Sequence, residues 1–71
     1  MDATNVESVI RDFLKKIRAR LDEAETVAKA AETCATAGSP DKAVEIALDI
    51  EQPLYEVTTL LNAASLIRRI G

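Results

Sequence analysis

Histidine and tryptophan are absent from this chain, and cysteine occurs only once. Without histidine there is neither a general base tuned near neutral pH nor an imidazole ligand, so a structural zinc site is not expected. A single cysteine excludes an internal disulfide. Glycine and proline occur twice each, and phenylalanine and tyrosine once each. Such sparse turn formers and strand formers exclude a sheet protein built on many turns. No run of 18 apolar residues exists, so no membrane-spanning helix is expected. The opening MDATNVESV is acidic and lacks the apolar stretch of a secretory signal, and a lone thiol suits a reducing compartment. A cytoplasmic location is the resulting expectation.

What the chain does have is helix-forming residues: alanine, leucine, isoleucine, glutamate, lysine and arginine dominate its 71 positions. At 48% hydrophobic residues it has enough apolar content to fold. It is also close to the lower size limit for doing so alone. A chain of this length buries only about 60% of its unfolded surface, and small domains then rely on disulfides, metals or partners. With the first two unavailable, association is expected.

The fold class predicted is all-α. Thr4 and Glu7 have the spacing of a capping box, and neither glycine nor proline follows until Gly38. Between them Ile10, Leu14, Ile17, Leu21, Ala24, Ala28, Ala31 and Ala35 recur in alternating steps of four and three. That is a heptad seam, widened by Val6, Phe13, Val27 and Cys34. A first helix over about 5–37 follows. Gly38 suits the left-handed residue after a helix, Ser39 an N-cap and Pro40 a first helical position, while Asp41 complements the dipole of the next helix. So short a turn, at 38–39, makes the two helices antiparallel neighbours.

A second helix over about 40–70 carries its own seam, Ala43, Ala47, Ile50, Leu54, Val57, Leu61 and Ala64. Pro53 interrupts it. An interior proline removes one backbone hydrogen bond and crowds the carbonyl four residues back. The seam keeps phase across Pro53, and residues 49–53 offer no glycine or asparagine for a turn. A continuous second helix kinked at Pro53 is therefore expected, rather than three helices. The chain reads as one domain, 1–71, a helical hairpin.

Two features argue that the hairpin associates. Ile46, Leu60 and Ile67 lie on one flank of the second seam, and Val44, Leu48 and Tyr55 on the other, an arc wider than one neighbour covers. Ile46, Leu48, Leu54, Tyr55, Leu60 and Ile67 are the expected interface residues of a homodimeric four-helix bundle. Charge is also segregated. The open end, residues 1–20 and 57–71, holds seven basic and three acidic residues, and the turn end, 21–56, holds two and nine. An antiparallel dimer would lay one hairpin's basic end beside its partner's acidic end, and would set the bulky start of helix 1 against its alanine-rich end.

Candidate chemistry is thin. Cys34 lies among alanines and reads as a small apolar residue. Asp41, Glu45, Asp49, Gln52 and Glu56 form a stripe down the second helix, without the loop carbonyls of a calcium site. Serine-nucleophile, phosphate-loop and dinucleotide motifs do not occur. No catalytic residue, cofactor or metal ligand is assigned, and the protein is not expected to be an enzyme. Arg11, Lys15, Arg18, Arg68 and Arg69 could contact an anion or nucleic acid at the open end, beside Lys16 and Arg20. No aromatic side chain is interleaved to stack on bases, and the net charge is −3. Nucleic acid is thus not the expected partner. The function expected is that of a small regulatory interaction protein, a homodimer that binds a second protein. In shape and size alone, the expected architecture resembles the ROP-type RNA-binding hairpin dimers. That likeness implies the alternative, an RNA-binding regulator using the basic open end.

Overall fold

The computed structural model describes residues 3–70, with the side chains of Ala3 and Thr4 excepted. All but three of the described residues, Ala37, Gly38 and Ser39, are helical. The first arm is α1, Ala3–Thr36; the proposed Thr4 cap rests on a side chain outside the described set. The second arm comprises α2, Pro40–Ala47, a 3-10 turn, Leu48–Ile50, and α3, Glu51–Ile70. Both parts of the second arm lie along α1, giving a hairpin whose Cα atoms span 55 × 14 × 10 Å.

The reversal at the end of α1 is a Schellman motif. Ser39 N–H donates to the Cys34 carbonyl (3.1 Å) and Gly38 N–H to that of Ala35 (3.0 Å). Gly38 supplies the required positive φ of 97°. Cys34 Sγ–H donates to the Ser39 carbonyl at 3.6 Å, tying the thiol into the same turn. Ser39 occupies the N-cap position of α2, but its hydroxyl makes no cap bond. Its carbonyl instead accepts from Ala43 N–H at 3.0 Å, starting the helix ladder.

Pro53 sits in the first turn of α3, where a missing N–H costs little. The residues just upstream, Leu48–Ile50, tighten into 3-10 geometry while the backbone stays right-handed helical at Ala47, Leu48 and Glu51. The crowding of the Asp49 carbonyl by the proline ring accounts for that local change. The chain does not reverse here. The second arm continues alongside α1, and Pro53 itself is buried between the arms.

The contact between the arms corrects the seam expected from spacing. Ile10, Ile17, Ala24 and Ala31 face the second arm as expected, but Leu14, Leu21, Ala28 and Ala35 are exposed. Their places are taken by Phe13, Arg20, Val27 and Cys34, half-buried one row over. On the second arm Ala43, Ile50, Val57 and Ala64 face inward, and Ile46, Pro53, Leu60 and Ile67 replace Leu54 and Leu61. A seam spaced 10, 13, 17, 20 has the same alternating period as one spaced 10, 14, 17, 21, so spacing fits both. Among the described residues the buried side chains are small: Ala24, Ala31, Ala43 and Ala64, with Pro53. Alanine lets the arms approach closely near the turn, but among the described residues no large side chain is fully enclosed.

Gly38 provides a direct check of the turn. A Cβ there meets open space, so the cost of Gly38→Ala arises from the positive φ alone. That substitution is expected to destabilise by about 1–2 kcal/mol, lowering Tm by several degrees in a calorimetric scan, with Gly38→Asn intermediate.

Candidate functional site: two unlike faces of the hairpin

The hairpin has two broad faces, and they differ in character. One gathers Lys16, Arg20, Gln52, Tyr55, Glu56, Thr59 and Leu60 around an open groove of about 350 Å³. Its centre is an ion pair between the arms. Arg20 Nη2 meets Glu23 Oε1 at 2.8 Å on its own helix, while Arg20 Nε approaches Glu56 Oε2 at 3.8 Å. The longer contact is electrostatic only, leaving Nε buried without a hydrogen bond. Arg20 is thus the one charged residue in the α1 half of the seam. Its long apolar stem packs there while its head reaches the groove.

The opposite face gathers Ile10, Leu61, Ala64, Ser65 and Arg68. Antiparallel right-handed helices turn in opposite senses when viewed from one end. Residues four after each shared seam position therefore fall on the same side of both arms. On α1 that row is Leu14, Leu21, Ala28 and Ala35; on the second arm it is Ala47, Leu54, Leu61 and Arg68. Leu14, Leu21, Leu54 and Leu61 are 52, 46, 45 and 55% exposed. Arg20 is level with Glu56, and Ile10 with Ala64, so Leu21 stands beside Leu54 and Leu14 beside Leu61. Four half-exposed leucines form a strip along one face.

The interface residues expected from sequence divide three ways. Ile46, Leu60 and Ile67 are half-buried toward α1. Leu54 belongs to the leucine strip. Leu48 and Tyr55 point away from α1, Tyr55 being 69% exposed, and share the outer side of the second arm with exposed Leu66. Leu14, Leu21 and Leu61 were missed as surface residues because their spacing matched a buried seam.

The basic residues Arg11, Lys15, Arg18, Arg68 and Arg69 are all exposed at the open end, but on several sides of it. Arg68 closes the leucine face, whereas Lys15 and Arg69 point outward. They converge on no common pocket. The acidic stripe is equally dispersed: Lys42 meets Glu45 at 3.7 Å, and Gln52 meets Glu56 at 3.5 Å. Among the described residues no three acidic or cysteine side chains could share a metal ion, and no helix is long and apolar enough to cross a membrane.

No protein-family model matches the chain, and neither a curated protein nor a solved structure matches it. The reading of these faces rests on their chemistry.

The side chains of Arg20 and Glu56 are 34% and 41% exposed, so the net contribution of the pair is small. Arg20→Met keeps the stem and removes the unsatisfied Nε; it is expected to change stability by less than about 1 kcal/mol in denaturant titration. Glu56→Ala, which leaves the guanidinium in place without its partner across the groove, is expected to cost more than Arg20→Met.

Proposed function

We propose that this protein is a non-enzymatic interaction module that works as a homodimeric four-helix bundle and presents its outer surfaces to a second protein. The observation that carries this reading is the half-covered seam. In each arm two heptad rows pack or half-pack between the arms, and the next row, with Leu14, Leu21, Leu54 and Leu61, remains at the surface. In a four-helix bundle the a and d rows of every helix point at the common axis, so each row meets a different neighbour. A two-helix hairpin supplies one neighbour of the two. The uncovered rows share one face, as a second hairpin requires.

Size supports the same reading. Burying a leucine fully contributes about 1.5–3 kcal/mol over leaving it exposed, and four half-exposed leucines are a large fraction of what a small domain has available. Once that face is covered, Leu48, Tyr55 and Leu66 still stand on the outer side of the second arm. An exposed tyrosine with exposed leucines along the same side of its arm has the aromatic and apolar content of a protein-binding surface. The regulatory role in this proposal is supported by that pairing of surfaces, one for assembly and one for a partner. The alternative, RNA binding through the open end, has less support, because its five basic residues are dispersed and lack an aromatic platform.

Sedimentation equilibrium at micromolar concentration is expected to give about 15 kDa, twice the 7.7 kDa chain, with Tm falling on dilution. Leu21→Glu with Leu54→Glu should abolish association, whereas Leu48→Lys with Tyr55→Lys should leave it intact. A folded monomer in the unmodified protein refutes the reading. Salt-sensitive RNA binding lost with Arg11, Lys15 and Arg18 changed to Gln would favour the alternative.

A further inference from the structure

The leucine face carries more information than its apolarity, because its layers are unequal and its margin is charged in an ordered way. Along the face, heptad by heptad from the open end, the layers are Glu7 with Arg68, Leu14 with Leu61, Leu21 with Leu54, Ala28 with Ala47, and Ala35 with Pro40. Bulk is concentrated in the middle and toward the open end. Beside this row on α1, at its outer margin, runs a second heptad row: Arg11, Arg18, Glu25 and Glu32, all exposed. Two basic residues are followed by two acidic ones. Among the described residues Arg11, Arg18 and Glu32 have no ion-pair partner, and Glu25 meets only the exposed Lys29, at 3.0 Å.

We propose that this face receives a second copy of the chain running antiparallel, with the two-fold axis passing at the level of Leu21 and Leu54. The proposal rests on the self-association reading above and adds its orientation and register. About that axis α1 packs on the partner's α1, and the second arm on the partner's second arm. The central layer holds Leu21 and Leu54 from both chains. On each side of it Leu14 and Leu61 meet Ala28 and Ala47 of the other copy, and beyond them Glu7 and Arg68 meet Ala35 and Pro40. Outside the central leucine layer, large side chains meet small ones, as close packing demands.

The same axis brings Arg18 opposite Glu25 of the second copy, and Arg11 opposite Glu32. One register satisfies the packing and all four charges of the row at once. The corresponding margin of the second arm, Val44, Glu51, Thr58 and Ser65, sets Glu51 opposite Thr58 and Val44 opposite Ser65, without a like-charge contact. The turn-to-turn arrangement fails on both counts. It stacks leucine layers on leucine layers and alanines on alanines, leaving space at the turn end, and it places Glu25 beside Glu51. It also superposes the two acidic turn ends. Neighbouring helices are antiparallel in either arrangement, so the choice between them falls to packing and side-chain charge rather than to helix dipoles.

Orientation is read by pulsed electron resonance between nitroxides on Thr36→Cys, in a Cys34→Ser background. Thr36 ends α1 and is exposed. Fourteen to fifteen residues from the axis at about 1.5 Å each put the two labels about 45 Å apart, against under about 25 Å for turn-to-turn packing. Register is read by charge exchange. Arg11→Glu with Arg18→Glu should weaken association at least about tenfold at low salt, and less at high salt. Glu25→Arg with Glu32→Arg should do the same, and all four substitutions together should restore affinity to within about threefold. These side chains are exposed, so helicity should be retained. A dimer with a label distance under 25 Å, or no recovery in the fourfold variant, overturns the antiparallel register while leaving self-association standing. A monomer at all concentrations overturns both.

Discussion

One geometric constraint governs this molecule: a helix in a hairpin has a single neighbour, and the apolar band on each arm is too broad for it. Each arm carries adjacent heptad rows of apolar residues, and packing two arms together encloses little more than one row on each. The consequence is visible in burial. The enclosed side chains are alanines and one proline, while every leucine except Leu60 remains exposed. Much of the stability that a chain of this size could draw from its leucines is therefore not realised within the hairpin itself.

The internal contact is adjusted to that situation. Small residues near the turn allow close approach of Ala31 to the second arm at Ala43, and the Schellman turn with Gly38 sets the antiparallel course in three residues. Arg20 then admits a charge into the seam at mid-length, where its head emerges into the groove toward Glu56. An apolar residue at position 20 would have made the buried row continuous on α1. The arginine lowers the apolar character of that row and leaves the leucine row beside it as the more hydrophobic of the two. The asymmetry between the faces follows: one is a groove lined by charged and polar groups, the other a strip of leucine and alanine.

Charge segregation along the chain acquires a structural meaning only at the level of rows. Summed over the open and turn ends it indicates little beyond a dipolar molecule. Resolved onto the margin of the leucine face, it becomes Arg11, Arg18, Glu25 and Glu32 in sequence, which is self-complementary under a two-fold rotation at the level of Leu21, whereas a shift by one heptad sets like charges opposite each other. Surface ion pairs of this kind contribute little to affinity individually, but they discriminate between orientations that apolar packing alone would leave similar.

By itself, the sequence determined the helical class, the place of the turn and the antiparallel course of the arms. Those follow from local chemistry: alanine-rich periodic segments favour helix, glycine permits positive φ, and proline after serine restarts a helix. The apolar rows were equally legible, as was the separation of basic from acidic ends. Spacing could not decide which of two adjacent rows faces the neighbouring arm, because Ile10–Phe13–Ile17–Arg20 and Ile10–Leu14–Ile17–Leu21 have the same period. The charge of Arg20 weighs against the former on apolar character alone, so the row through Leu14 and Leu21 reads as the seam. Nor did the sequence place Pro53, which lies buried in the first turn of α3 behind a 3-10 turn rather than inside an unbroken helix. Only the tertiary structure resolved these points, since the rotation of each helix about its axis is set by the packing of both arms together.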